Sequence, residues 1–190
     1  MIAGIVLGAG RSTRFGSNKM LHPLSDGTPL MVSALRNLRQ GVDEVFAVVR
    51  PDDVELIRLL GHEQSRIVAC PDAERGMGAS LACGIRASSH ADGWLIALGD
   101  MPLVPQAIIV RLADRLRNGG AIVAPVCNGR RGHPVGFSRE FIGPLSRLDG
   151  DTGARSILEA NAARVEFIIS EDPGVIHDID IAADVAPPLR

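Results

Sequence analysis

Along the chain, short unbroken apolar runs alternate with stretches whose apolar residues recur at helical spacing. Ile2 to Leu7 is continuously apolar, the pattern of a strand covered on both faces. Leu30, Ala34, Leu35 and Leu38 share one side of a helix, so the spacing predicts a helix over 30–38. Val45 to Val49 reads as a second buried strand closed by Arg50-Pro51, Val54 to Leu60 as a helix, and Ile67 to Ala69 as a short strand. Ala79 to Ala87 reads as a helix behind a glycine loop, and Trp94 to Leu98 as a buried strand leading into Gly99-Asp100-Met101-Pro102. An amphipathic helix over 107–116 and a strand over 121–124 complete the series. This alternation predicts βαβ units, hence a mostly parallel sheet with helices on both faces.

After about Val126 the rhythm breaks. Residues 128–137 read as a turn and a hairpin-like strand, 157–163 as helix, 165–169 as strand, and 176–181 as a short apolar segment interrupted by Asp178 and Asp180. This last third is too short for a core of its own, so it is expected to decorate the same sheet. The expectation is one α/β domain over 1–190: three α/β/α layers, Rossmann-like, with an antiparallel C-terminal addition.

Composition narrows the function classes. With 190 residues, 46% of them apolar and 22% charged, the chain is neither disordered nor collagen-like nor membrane-embedded. A formal charge of −2 provides no basic field for a nucleic acid, and five Phe, one Trp and no Tyr are too few rings for a base-stacking platform. Met1 leads straight into a strand without a basic or hydrophobic leader region, and Cys70, Cys83 and Cys127 form no CxxC pair. An odd cysteine count is a poor disulfide framework, so the cytoplasm is the expected compartment.

In open α/β sheets ligands sit beyond the carboxyl ends of the strands. The first such end carries Leu7-Gly8-Ala9-Gly10-Arg11-Ser12-Thr13-Arg14-Phe15-Gly16-Ser17-Asn18-Lys19. Its glycines permit close backbone approach to an anionic or planar ligand, and Arg11, Arg14 and Lys19 add local positive charge suited to phosphate. It is not a Walker A loop, because Gly16 is not followed by Lys-Ser/Thr, nor a Rossmann fingerprint, because Thr13 stands where the third glycine belongs. Asp100, just past a buried strand, suits a hard divalent ion held by one or two carboxylates and substrate phosphates; capping the next helix is the plainer alternative. A second carboxylate could come from Asp178 or Asp180, which alternation puts on the same face, so periodicity does not choose between them. The small residues of 71–84 suit a flat ligand, with Ser80 offering a hydroxyl or a helix cap. Arg130, Arg131, His133 and Arg155 could neutralise the anionic end of a second substrate.

The order Leu-Gly-Ala-Gly, Arg-Phe-Gly, Lys over Leu7 to Lys19 resembles the loop L-x-[AG]-G-x-x-x-R-[FM]-G-x-x-K. That loop belongs to the MobA-like nucleotidyltransferases, which include the molybdopterin cytidylyl- and guanylyltransferases and their sugar-nucleotide relatives. Every defining position matches, with Gly8 standing where the cytidylyltransferases usually have Ala. The resemblance implies a nucleotide-diphospho-sugar transferase type of fold. It also implies that Leu7, Gly8 and Ala9 read the base through backbone groups, beside Gly10 and Arg11, and that Arg14 and Lys19 hold the triphosphate. The family's metal aspartate matches Asp100 of LGDMP, and its tail I-D-T-P-E-D-L favours Asp180 as a second Mg²⁺ ligand. The segment G-M-x-x-S-L-x-x-G, with an upstream aspartate matched by Asp72, assigns Asp72 and Ser80 to base and ribose. Residues 129–135 and 150–155 resemble G-R-R-G-H-P-V and G-D-x-G-A-R of the cytidylyltransferases, which assigns Arg130, Arg131, His133 and Arg155 to the second substrate.

The resemblance implies a Mg²⁺-dependent enzyme that transfers CMP from CTP to the phosphate of molybdopterin or molybdenum cofactor, releasing pyrophosphate. A recipient molybdoenzyme is a possible partner, and neither nucleic acid nor membrane is expected. Alternatives of other kinds are a guanylyl- or sugar-phosphate nucleotidyltransferase, a non-catalytic cofactor carrier, and a nicotinamide-dependent reductase of a small heteroaromatic pigment. In the reductase reading, Arg50 would meet a nucleotide 2′-phosphate.

Overall fold

The fold was obtained as a computed structural model, which describes residues 1–10 and 18–179. Arg11, Arg14 and Asp180 lie outside the described residues. The apolar runs form the centre of one sheet: β1 (Ile2–Leu7), β2 (Glu44–Val49), β3 (Arg66–Ala69) and β4 (Gly93–Leu98), all parallel. Continuous apolarity is required here because alternate residues of each strand enter different cores. Ile2 and Val6 pack with α1 (Leu30–Arg39), α2 (Val54–Leu60) and α4 (Gln106–Arg117). Ala3, Ile5 and Leu7 pack with α3 (Met77–Ala87), α5 (Ile142–Ser146) and α6 (Arg155–Ala160). The result is the three-layer arrangement expected from the alternation.

The C-terminal third joins that sheet, with a topology the local pattern did not reveal. After β5 (Ile122–Cys127), a tight turn through Asn128 and Gly129 and the two-residue β6 (Arg130–Arg131) lead back into β7 (Val135–Ser138). The main path runs β3-β2-β1-β4-β7-β5, so the antiparallel β7 is inserted between two strands instead of being added at an edge. β8 (Val165–Ile169) pairs in parallel with β5. The insertion brings His133 and Arg131 beside the carboxyl end of β4, where Asp100 stands.

The cysteine reading needs correction: Cys70, after β3, and Cys83, on α3, form a disulfide, while Cys127 is buried and unpaired. Sequence spacing could not reveal this pair, because only the packing of α3 beside β3 brings the two together. Among the described residues, no helix is long and apolar enough to cross a membrane.

Candidate active site

The carboxyl ends of β1 and β4, the end of β2 and the start of α3 enclose a cavity of about 440 Å³, within the usual range for small-ligand pockets. Leu7, Ala9 and Gly10 form one wall, Gly76, Met77 and Ser80 another, and Asp100 and Leu98 close the base. Arg50, from the end of β2, and Asp151, from the loop before α6, complete the rim.

Asp100 is met by Lys19 from 81 residues away, although Lys19 itself is absent from the cavity lining. Lys19 opens a 3-10 turn (Lys19–Leu21) capped by Asn18, whose side-chain oxygen accepts from the Met20 amide. Its ammonium donates to Asp100 Oδ2 at 2.8 Å, with side-chain exposures of only 7% and 22%. Lys19 is therefore a largely buried charge and not the solvated loop cation that a glycine-rich segment suggests. The other carboxylate oxygen, Asp100 Oδ1, is buried and lacks a hydrogen-bond partner among the described residues. A buried anionic oxygen left unsatisfied is costly, and it suits a hard divalent cation arriving with substrate phosphates. No group of three or more His, Cys, Asp or Glu that could hold a metal forms among the described residues. The tail nevertheless reaches this point, since the Ile179 amide donates to the Asp100 carbonyl at 3.0 Å.

The structure narrows which parts of the first loop face a ligand. The Gly8 amide donates to the Val48 carbonyl at 2.9 Å, and the Leu7 carbonyl accepts from the Gly99 amide at 2.9 Å, so these backbone groups serve the sheet while Leu7 still lines the cavity. A Cβ at Gly8 would point into the core, 2.8 Å from Met31 Sδ, and not toward the cavity. Ala9 and Gly10 do line the cavity. Ser80, inside the first turn of α3, lines it as well and donates to the Gly76 carbonyl at 3.3 Å. Asp72 does not line it: the carboxylate is exposed, 3.9 Å from Arg75. Exposed Asp178 is also absent from the lining.

A second cavity of about 400 Å³ shares Leu7, Met77, Leu98 and Asp151 with the first. Its floor is apolar, from Leu81, Ile96, Val135, Phe137 and Leu158, and its rim carries Arg131, His133 and Arg155. Three of the four residues matched to a second substrate thus converge, whereas exposed Arg130 lies off the lining. Arg155 also donates to Glu159 at 2.8 Å. His133 Nδ1 is buried and lacks a hydrogen-bond partner among the described residues. Burial pushes the His133 pKa down, opposed by a hydrogen bond to the Ile96 backbone; nearby Arg131 lowers it further, while Asp100 and Asp178 raise it.

The wall between the cavities is built by the turn preceding α6. Arg75 pairs with Asp149 and holds its carboxyl below the usual range, and the Gly78 amide donates to the Gly150 carbonyl at 2.7 Å. Gly76, with φ +115°, leaves room for this turn: a Cβ there would lie 2.5 Å from the Gly150 carbonyl oxygen. Asp151 is thereby set at the junction of both cavities. Sequence reasoning passed over it, although it sits inside the G-D-x-G-A-R segment from which only Arg155 was drawn.

Comparison with known proteins bears on the family and the fold. The chain is 35% identical to the bifunctional protein GlmU of Rhodopseudomonas palustris (strain BisB5), over 95% of this chain and 40% of that protein, so it spans less than half of that relative. It is 30% identical to the purine catabolism protein PucB of Bacillus subtilis (strain 168), covering 94% of this chain and 91% of that one. With the molybdenum cofactor cytidylyltransferase of Escherichia coli (strain K12) the identity is 28%, over 95% and 91% of the two chains. The crystal structure of Rv0371c from Mycobacterium tuberculosis H37Rv superposes with a TM-score of 0.84 at 29% identity, covering 97% of this chain and 95% of that one; the same protein is also known in complex with manganese. Residues 4–165 match the MobA-like NTP transferase domain, and the chain is a nucleotidyltransferase of that family.

Proposed function

We propose that this nucleotidyltransferase transfers CMP from CTP to the phosphate of a molybdopterin-type acceptor, with Mg²⁺, in the cytoplasm. The observation that carries the reading is the pair of cavities meeting at Leu7, Met77, Leu98 and Asp151, with Asp100 at the base of the first and Lys19 paired to it from behind the lining. CTP occupies the first cavity and the acceptor the second. An acceptor phosphate oxygen attacks the α-phosphorus; that P–O bond forms as the bond to the bridging oxygen of the β-phosphate breaks, and pyrophosphate leaves. The phosphate is already a competent nucleophile at neutral pH, so positioning and charge neutralisation carry the catalysis. Lys19 leaves Asp100 for the triphosphate and neutralises charge on the departing pyrophosphate, and Arg14 and Arg11 of the same loop are assigned to the nucleotide by the sequence motif. Asp100, with Asp180 as the motif assigns it, would hold Mg²⁺, which would supply neutralisation of phosphate charge when bound.

The acceptor assignment rests on the second cavity. Its apolar floor suits a flat heterocyclic body, and Arg131, His133 and Arg155 on its rim suit an anionic end. The molybdenum cofactor cytidylyltransferase of E. coli, similar over nearly its whole length, supports the same class, and the product would pass to a recipient molybdoenzyme. A second reading is transfer to a sugar phosphate, which the resemblance to sugar-nucleotide relatives also allows, but a sugar would set its hydroxyls against an apolar floor. A thermal-shift screen of CTP, GTP, ATP, UTP and NADPH with Mg²⁺ tests the nucleotide assignment. A ligand at 100 times its Kd stabilises by about 2.7 kcal/mol. CTP should shift the transition most; a larger NADPH shift would favour a reductase.

A further inference from the structure

Both described ends of the glycine-rich loop are fastened to one corner of the fold, the turn between β2 and α2. At the leading end, Arg50 Nη1 donates to the Gly10 carbonyl at 3.2 Å. At the trailing end, Asn18 Nδ2 lies 2.8 and 3.0 Å from the two oxygens of Asp53. Arg50 and Asp53 are three residues apart, with 4.0 Å between guanidinium and carboxylate, and Asp53 is only 8% exposed. Asp53 also caps α2 by accepting from the Leu56 amide at 3.2 Å, so the corner is held by a helix start as well as a strand end.

The trailing attachment continues toward the chemistry. Asn18 uses its amide group on Asp53 and its side-chain oxygen on the Met20 amide, which caps the 3-10 turn carrying Lys19. A continuous path thus runs from Asp53 through Asn18 to Lys19 and on to Asp100. A charge-assisted hydrogen bond of this kind fixes direction as well as distance. Asp53 is absent from the cavity lining, so its influence on a ligand there passes through the loop.

We infer that Arg50 and Asp53 form a clamp that sets the span of the nucleotide loop, and that Asp53 is a positioning residue for Lys19 acting through Asn18. The inference rests on the loop binding a nucleoside triphosphate, as proposed above. It carries a sign opposite to simple electrostatics. Removing the negative charge of Asp53 near a polyanion should tighten binding if charge alone mattered; loss of the clamp should weaken it.

The test is calorimetric titration of CTP with Mg²⁺ into the wild type and the variants Asp53→Ala, Asn18→Ala, their double mutant and Asp53→Asn, with circular dichroism melts confirming folding. Asp53→Ala and Asn18→Ala should each raise the CTP Kd about two- to tenfold, the scale of having to order one long side chain on binding. The losses in the double mutant should be clearly less than additive, because both singles remove the Asp53–Asn18 contact while each also has one of its own. Asp53→Asn keeps an acceptor oxygen while losing the charge, so it should recover most of the affinity. Equal or tighter CTP binding by folded Asp53→Ala, or fully additive losses in the double mutant, would overturn the clamp alone. A wild type that binds none of CTP, GTP, ATP and UTP would overturn the nucleotide reading and the clamp with it.

Discussion

Replacing Lys19 by alanine should produce three effects of different sign. The ammonium donates to Asp100 Oδ2 at 2.8 Å in a pair exposed by only 7% and 22%. Without it, Asp100 keeps a buried charge whose Oδ1 already lacks a partner among the described residues. Breaking a fully buried pair costs about 3–5 kcal/mol, and the partial exposure of Asp100 reduces this to roughly 1–2 kcal/mol. For a chain of this size that corresponds to a Tm drop of about 2–8 °C. The second effect is the reverse: Mg²⁺ should stabilise the variant more than the wild type, because no ammonium competes for the carboxylate. The third is catalytic, a fall of about 10²–10³ in kcat, the scale of removing one preorganised charge from a transition state. Thermal melts with and without Mg²⁺, together with a coupled pyrophosphate assay, read all three. A folded variant with turnover within a few-fold of the wild type would remove Lys19 from the mechanism, and an unchanged Tm would refute the buried-pair account.

Gly8→Ala should cost about 1 kcal/mol as the end of Met31 shifts, since the new methyl meets Sδ at 2.8 Å; the ratio of CTP to GTP affinity, measured by titration, should stay unchanged because that methyl faces the core. Gly76→Ala should destabilise by roughly 2–4 kcal/mol in denaturant melts, because φ is +115° and the Gly150 carbonyl oxygen is 2.5 Å from the added atom. The buried His133 has a folded pKa below its ordinary 6.5, so at mildly acidic pH the unfolded chain binds more protons than the folded one. The stability it contributes is complete above that ordinary value and is lost as pH falls below it; chemical denaturation between pH 7 and 5 should show this loss, and His133→Gln should lessen it.

Much of the layer structure was legible in local pattern, because strands buried on both faces must be continuously apolar and Ile2 to Leu7, Val45 to Val49 and Trp94 to Leu98 are so. The insertion of β7 between β4 and β5 was not, since the alternation in Val135 to Ser138 signals a strand without naming its neighbours. The same limit applied at the site. Gly99-Asp100 past a strand and Lys19 past a glycine loop were readable as ligand-facing, but their ion pair across 81 residues was not. Gly8 looked like a ligand contact because glycine permits close approach; here the close approach is to Met31 and Val48 inside the fold. Asp72 looked like a ribose contact by motif position, while the structure pairs it with Arg75 at the surface. Asp151 went unnoticed because nothing in its own neighbourhood reveals that the turn docks against Gly76 and Gly78.

The central claim is that this chain joins a cytidylyl group to a pterin phosphate. The most direct measurement mixes the protein with Mg²⁺, molybdopterin and either CTP or GTP, following pyrophosphate release and the mass of the pterin product. The account predicts one pyrophosphate per product molecule, a product heavier by one CMP residue, and a kcat/KM for CTP well above that for GTP. Equal rates with the two nucleotides, a GTP preference, or turnover only when a sugar phosphate replaces molybdopterin would contradict it.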